Sequence, residues 1–313
     1  MQKILVFGSF VVDLTSRAKC LPQAGETVLG SSFKMGPGGK GSNQAVAAHR
    51  AGADLTLVTK VGKDVFGKVA KDFYLSEGMR TDLILEDEVV ETGTALIMVS
   101  ETEGQNKILV VSGACGHITD EDIHLTEPAI RAADILMLQL EINQDALEKV
   151  VDIASEAGVR VVLNPAPAHR LPESLLRKID TLTPNESEAA TLSGIPVNDV
   201  EDAKKAARVL LDMGINHIVI TMGSQGVYVS DGLKEEFIPA IPVKAIDTTG
   251  AGDAFNGGFI TALAQGFDLF DAARFGNATG ALSVTKLGTA PSMPYRVDID
   301  ALIDKEYPKM RRK

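Results

Sequence analysis

The sequence has no tryptophan, and aromatic residues fill only 5% of its 313 positions. Single-stranded nucleic acid is held by stacking bases on aromatic faces, so this scarcity argues against such a ligand. Only two cysteines occur, Cys20 and Cys115. They form no CxxC pair and no metal-ligand spacing, which points to a reducing compartment, the cytoplasm. Neither is tied to a histidine by any motif, as a nucleophilic thiol would be. No run approaches the roughly 18 apolar residues that span a membrane. The opening stretch, MQKILVFGSFVVDL, meets Asp13 early and offers no small-residue cleavage site. It therefore reads as a first strand and not as a signal peptide. Basic residues are outnumbered 31 to 42, for a formal charge of −11. Such a surface repels a phosphate backbone, so nucleic acid is not an expected partner. A small anion would need backbone N–H groups or a metal to neutralise it.

What is present is an ordinary globular balance, 45% hydrophobic and 23% charged, over a length that suits one large α/β domain or two smaller ones. KILVFG reads as a buried strand ended by glycine. VVDLTSRA and ETVLGSSFKM, divided by PQAGE, read as strands of a small solvent-facing sheet. TGTALIMVS and NKILVVSG, paired across ETEGQN, belong with them. KGSNQAVAAHRAGA is a helix, DLTLVTKVG a strand and DVFGKVAKDFYLSEG a helix that ends at glycine.

From about Thr119 strands and helices alternate. Helices are expected over 120–132, 144–157, 200–213, 252–264 and 269–285, with a short one in ESEAATLSG. The strands between them are DILMLQLE, RVVLN, IDTLTPN and HIVITMG, followed by GVYVS and KEEFIPA. Alternation of this kind implies a mainly parallel sheet covered on both faces, with ligands beyond the C-terminal strand ends. The loops NPAPA, TPNESE, TMGSQG and DTTGAGD fall there. No repeat of about 20–50 residues occurs, so the chain is read as a single domain over 1–313. A lid formed by about 11–35 and 92–112 is inserted in it.

DTTGAGDAFNGGF carries the most chemistry. Small residues leading into a helix leave N–H groups pointing outward, and the helix dipole adds partial positive charge. Gly250, Ala251 and Gly252 thus form a candidate anion hole. Asp253 behind them is either a helix N-terminal acid or a base for a substrate hydroxyl. Gly257 and Gly258 cost helix stability, which implies close packing or close ligand approach. Phosphoryl transfer fits: a carboxylate takes the hydroxyl proton while backbone donors stabilise the transferring group.

GPGGKGSNQA holds a literal GxGxxG at Gly36, Gly38 and Gly41. It lies about thirty residues beyond the first strand, too far for a dinucleotide fingerprint. No Ser or Thr follows Lys40, as a Walker A motif requires. The remaining readings are a plain helix start and a tight turn offering Lys40 and Asn43 to a polar ligand. Asn185 and Glu188 share a helix face at i and i+3. They are either hard oxygen groups for Mg²⁺, carried partly through water, or a capping box. TMGSQG is a hairpin turn or a backbone cradle for nucleotide phosphates. Glu141 is a surface charge or a carboxylate at a strand end, placed to hold a ligand hydroxyl.

Taken together, PGGKGSNQAVAA, NPAPA, TPNESEA and DTTGAGDAFNGGF resemble, in order and spacing, the ribokinase-like family of carbohydrate kinases. The similarity runs from GSFVVD to APSMP. It implies a three-layer α/β/α sandwich with a mainly parallel central sheet and a small β-sheet lid that also makes a homodimer contact. It implies Asp253 as catalytic base and Gly250, Ala251 and Gly252 as anion hole. It implies that Val11, Asp13, Gly39, Lys40, Gly41, Ser42, Asn43 and Glu141, with Asp253, surround the sugar. ATP would meet Asn185, then Thr221, Met222, Gly223, Ser224, Gln225 and Gly226, then Gly252, with Asn277 near the adenine. Glu188 would organise Mg²⁺. Asp247, Thr249, Ser283, Lys286, Gly288 and Ser292 would hold K⁺, several through backbone carbonyls.

Two departures bear on the sugar. Members acting on ribose typically carry asparagine where this chain has Val11, and deoxyribose-type members carry an apolar residue. Members acting on ribose also commonly read GAN where this chain reads GAC, ending at Cys115. The expectation is an ATP-dependent kinase for the primary hydroxyl of ribose or 2-deoxyribose. The residues leave other readings open. One is a relative acting on a ketohexose, a keto-sugar acid or a nucleoside. Another is a catalytically silent sugar- or nucleotide-binding regulator, and a third is a nicotinamide-dependent oxidoreductase.

Overall fold

A computed structural model of the chain describes residues 1–102 and 105–310. The order is β1 (Ile4–Phe7), β2 (Val11–Ala18), β3 (Ser32–Gly38), α1 (Lys40–Arg50), β4 (Leu55–Gly62), α2 (Val65–Ser76), β5 (Ile84–Asp87), β6 (Thr92–Ser100) and β7 (Asn106–Gly113). There follow α3 (Asp120–Arg131), β8 (Ile135–Leu138), α4 (Gln144–Glu156), β9 (Arg160–Leu163), α5 (Glu173–Leu176), β10 (Thr181–Leu182), α6 (Glu186–Ser193) and α7 (Val200–Asp212). The rest is β11 (His217–Thr221), β12 (Gly226–Ser230), β13 (Glu235–Pro239), α8 (Ala251–Ala264), α9 (Leu269–Ser283) and α10 (Arg296–Glu306).

Nine strands form one sheet in the order β13-β12-β11-β10-β9-β8-β1-β4-β5. It is parallel from β11 to β5 and antiparallel only at the β11-β12-β13 edge. The alternation of side chains along a strand builds two cores. In β1, Ile4 and Val6 enter one core while Leu5 and Phe7 enter the other. In β8, Ile135 and Met137 divide from Leu136 and Leu138 in the same way. The first core is closed by α1, α2, α8, α9 and α10, the second by α3, α4, α6 and α7. Near-continuous apolar strands are thus explained: both faces are covered.

The second sheet has four strands in the order β3-β2-β6-β7. It leaves the main sheet directly after β1 and again after β5, so it overhangs the C-terminal strand ends. The connection ETEGQN between β6 and β7 includes residues 103 and 104, which lie outside the described residues. Among the described residues no helix is long and apolar enough to cross a membrane.

Several element limits differ from expectation. ETVLGSSFKM is strand only from Ser32. Before it the chain turns back on itself, with the Glu26 N–H donating to the Gln23 carbonyl and the Gln23 N–H to the Glu26 carboxylate. DILMLQLE is strand only to Leu138, so Glu141 stands in the following loop. That loop is held by the Leu140 N–H donating to the Ala166 carbonyl. β5 and α10 were not expected. The first is four residues long, and the second lies directly behind the proline-rich APSMPY.

Candidate active site

Asp253 sits in the first turn of α8 and is 7% exposed. The helix opens on Gly250 in the left-handed region, at φ 78°, which a side chain would strain. The turn is closed by the Ala251 N–H donating to the Thr248 carbonyl at 3.2 Å. The first-turn amides behind it point out of the helix mouth, beside the carboxylate. The two glycines further along α8 mark close approach. A Cβ on Gly257 would lie 2.4 Å from the Ala47 Cβ, and one on Gly258 would lie 2.2 Å from the Thr279 hydroxyl. The missing side chains let α8 press on α1 and α9.

That approach brings α1 to the carboxylate. The Asn43 Nδ2 donates to Asp253 Oδ2 at 2.9 Å, and the Gln44 Nε2 donates to Oδ1 at 3.0 Å. Lys40 opens the same helix behind Gly39. Burial opposes its charge, but Asp253, Glu141 and Glu188 together hold its ammonium above the usual lysine range. Gly41 and Ser42 pack onto the turn after β1, where the Ser42 N–H donates to the Ser9 carbonyl at 2.8 Å. The Glu141 carboxylate accepts from the Ser9 hydroxyl at 2.5 Å and from the Lys40 N–H at 2.9 Å. Asp13 points inward from β2, and the Thr289 hydroxyl donates to it at 3.1 Å. Burial pushes the Asp13 carboxyl up to about 6; the Thr289 bond opposes this, while Glu141 and Asp253 add to it.

One cleft therefore gathers three carboxylates, one ammonium and two amides. One of its polar atoms, the Asn43 Oδ1, is buried with no hydrogen-bond partner among the described residues; the Ser42 hydroxyl turns instead to the buried Tyr74 hydroxyl. Buried polar atoms are rarely left so unless a ligand or water serves them.

All but two of the residues expected to meet ATP stand at the ends of β10 and β11; Gly252 lies in α8 and Asn277 in α9. Asn185 caps α6 and forms a full capping box with Glu188: the Glu188 N–H donates to Asn185 Oδ1 at 2.9 Å, and the Asn185 N–H to Glu188 Oε2 at 2.8 Å. Asn185 Nδ2 also reaches Glu188 Oε1 at 2.9 Å. Burial raises the Glu188 carboxyl, Asn185 and Lys40 opposing. Asn185 bridges to Thr221 in parallel register. The turn over Met222, Gly223, Ser224 and Gln225 then joins β11 to β12 as a hairpin, closed by the Met222 N–H on the Gly226 carbonyl at 2.8 Å. Asn277 in α9 donates to the Pro239 carbonyl and to the Tyr307 hydroxyl, both at 2.8 Å.

Of the six residues expected around a monovalent cation, Asp247, Thr249 and Gly288 are joined directly by hydrogen bonds, and Ser283 and Lys286 lie on the segment beside them. Asp247 accepts from the N–H groups of Thr249 and Gly288, each at 3.0 Å. Burial works against its charge, yet these donors, the Thr249 hydroxyl first, hold its carboxyl below the usual range. The Asp247 N–H donates to the Val284 carbonyl, next to Ser283, and the Lys286 N–H donates to the Ser283 carbonyl. Ser292 closes the turn from Thr289.

The model of the pfkB family of carbohydrate kinases matches residues 1–296. The chain belongs to the pfkB family of carbohydrate kinases. It is therefore a phosphotransferase whose acceptor is an alcohol. The kinase is 43% identical to a ribokinase of Haemophilus influenzae over 95% of its own length and 97% of that protein's. It is 37% identical to a deoxyribokinase of Salmonella typhi, covering 93% and 95% of the two chains. A solved structure of Arabidopsis thaliana ribokinase complexed with ribose and ATP superimposes with a TM-score of 0.87 at 31% identity, covering 96% of this kinase and 98% of that chain.

Val11 is 4% exposed and lies in the strand register between Gly38 and Gly93. Cys115 is wholly buried on the other side of the same strand start. Its thiol accepts from the Phe10 N–H at 3.1 Å and donates to the Lys60 carbonyl at 3.0 Å. Burial raises the thiol. Cys115 thus braces the backbone next to Val11 and has no open path to a ligand.

Sequence reasoning missed Ser9, Thr289, Gln44, Gln139 and Asn164. Ser9 stands two residues past β1 in GSFVVD, and Asn164 opens the loop NPAPA, both usable signals. The others are brought in by tertiary packing.

Proposed function

We propose that the kinase transfers the γ-phosphoryl group of ATP to the primary hydroxyl of a pentose, ribose or 2-deoxyribose. The observation that carries this is the buried Asp253 carboxylate at the mouth of α8, facing Asn43, whose Oδ1 is buried and unpaired. The sugar would lie among Asp13, Asn43, Glu141 and Asp253. Carboxylates accept from its hydroxyls, and the Asn43 oxygen accepts from another. Asp253 takes the proton of the primary hydroxyl as its oxygen bonds to the γ-phosphorus. The bond to the β,γ-bridging oxygen breaks and ADP leaves. N–H groups of Gly250 and Gly252 would meet the charge on the transferring group, and the Ala251 N–H could join them only by leaving the Thr248 carbonyl; general-base help is worth about 10²–10⁴-fold.

Both Glu188 oxygens are engaged by Asn185, so Glu188 would hold Mg²⁺ through water. When bound, that ion neutralises charge on the phosphates. Asp247 with the carbonyl-rich segments of 283–292 makes a hard-oxygen set that suits K⁺. That ion would fix the backbone of the helix mouth. Asn185, the 221–226 turn and Asn277 line the path for ATP. The segments 11–35 and 92–112 would act as a lid that excludes water. The lid would also join two copies: Ile108, Leu109, Val110 and Val111 are each 47–61% exposed along β7.

The buried, apolar Val11 favours 2-deoxyribose as a second reading beside ribose, because it offers no donor to a 2-hydroxyl. Coupled detection of ADP with a panel of sugars, in potassium and in sodium buffer, tests the assignment. Turnover on a pentose above that on ketohexoses and nucleosides, raised by potassium, is expected. Pentose turnover no greater than background ATP hydrolysis would refute it.

A further inference from the structure

Resting on the reading of Asp253 as the base, we infer that Gln44 is a positioning residue that clamps Asp253 Oδ1 from inside the protein and leaves Oδ2 to take the substrate proton. Gln44 is wholly buried in α1. Its Nε2 donates to Asp253 Oδ1 at 3.0 Å and to Asn164 Oδ1 at 3.1 Å. Its Oε1 accepts from the Gln139 Nε2 at 2.7 Å. Asn164 Nδ2 then donates to the Thr183 carbonyl at 2.8 Å. The Thr183 hydroxyl donates to Asn256 Oδ1 at 2.6 Å, and Asn256 Nδ2 to the Gly252 carbonyl at 2.9 Å. The chain of bonds leaves α8 at Asp253 and returns to it at Gly252, through α1 and the ends of β9 and β10.

The direction of each amide follows from one charge. An ionised carboxylate only accepts, so Gln44 must present its NH₂ group. Both N–H bonds of that group are used, on Asp253 and Asn164. The Gln44 carbonyl is thereby turned to Gln139, and the Asn164 NH₂ to Thr183. Of the side-chain polar atoms in this buried network, only the Gln139 Oε1 has no partner among the described residues, and the bonds made by the others fix their rotamers. Gln139, Gln44 and Asn164 are each no more than 6% exposed, so the Oδ1 side of Asp253 is closed to ligand. The Oδ2 side faces Asn43, with its unpaired Oδ1, and the Lys40 ammonium shares the cleft. A purely structural Gln44 would tie elements together but would not bias which carboxylate oxygen reacts.

Steady-state kinetics across pH on purified full-length Gln44→Leu, Gln44→Glu and Asp253→Ala decide the matter, with melting curves alongside. Gln44→Leu is expected to lower kcat about 10–100-fold while the KM for sugar and ATP stays within about threefold. The acid limb of its kcat/KM profile should move up by roughly one pH unit, because a carboxylate that loses an N–H donor holds its proton more tightly. Gln44→Glu, nearly isosteric, should move that limb further by placing a second carboxylate against the first. A folded Gln44→Leu with parental kcat and an unmoved acid limb overturns the inference. So does a loss confined to melting temperature and active fraction. Should Gln44→Leu not fold, Gln44→Glu and Gln139→Leu are read by the same two criteria. Parental turnover in Asp253→Ala would remove the base and the clamp together. Parental Gln44 variants beside an inactive Asp253→Ala would remove the clamp alone.

Discussion

Replacing Asp13 by asparagine should stabilise the ligand-free kinase at neutral pH while weakening its hold on sugar. The Asp13 carboxyl titrates at about 6 in the folded chain against an ordinary 3.8, chiefly because burial disfavours the charge. A raised folded value means that the native state binds this proton more tightly than the unfolded state does. The associated stability is fully present below about 3.8 and is lost as pH rises through about 6. Above that, the fold carries an ionised carboxylate at a cost of about 3 kcal/mol. Water still reaches the side chain in part, which reduces the recoverable amount to about 1–2 kcal/mol. Asparagine keeps the shape and an acceptor for the Thr289 hydroxyl but carries no charge. Melting curves of parent and Asp13→Asn at pH 4 and pH 8 make the assay. A gain of about 2–4 °C is expected at pH 8 and almost none at pH 4. The same variant should raise the sugar KM at pH 8, since a charge-assisted acceptor is gone. A difference in melting temperature that does not change with pH, or a variant less stable at pH 8, would refute the reasoning.

Val11→Asn restores a polar side chain between Gly38 and Gly93. It should raise kcat/KM for ribose relative to 2-deoxyribose by about 5–30-fold, the worth of one well-placed hydrogen bond; a competition assay with both sugars reads the ratio, and an unchanged ratio would count against Val11 facing the 2-position. Gly257→Ala gains about 1 kcal/mol of helix propensity. The added carbon meets the Ala47 Cβ at 2.4 Å and the Gln44 backbone carbonyl at 2.7 Å. Overpacking of about 1–3 kcal/mol should win, so melting temperature falls and kcat falls with it as α8 moves off Asn43 and Gln44. A variant with parental kcat would separate this helix contact from catalysis.

Much of the fold was legible because it rests on local pattern. The strand KILVFG and its equivalents are apolar throughout because both faces are covered, and helix periodicity marked α1, α2, α4 and α7 closely. What escaped was what has no local pattern. β5 is four residues on the sheet edge, and α10 follows residues that read as breakers. Within the site, glycine-rich stretches pointed to the α8 mouth and to the turn before α1 because anion binding and close packing need small residues. Asn185 and Glu188 were visible as a pair, and the capping box that they form is one of the two readings their spacing allowed. Gln44 was not visible as more than part of a helix. Its meaning depends on Asp253, 209 residues away, and on Asn164, 120 residues away. Thr289 meets Asp13 across 276 residues. No spacing rule reaches over such separations; only the assembled sheet brings these side chains together.

The central claim is that the Asp253 carboxylate removes a proton from the sugar hydroxyl. Turnover of Asp253→Asn on its best pentose, with sugar and ATP binding measured separately, tests it most directly. A fall in kcat of about 100-fold or more is expected, with both ligands still bound. Turnover at the parental rate would contradict it.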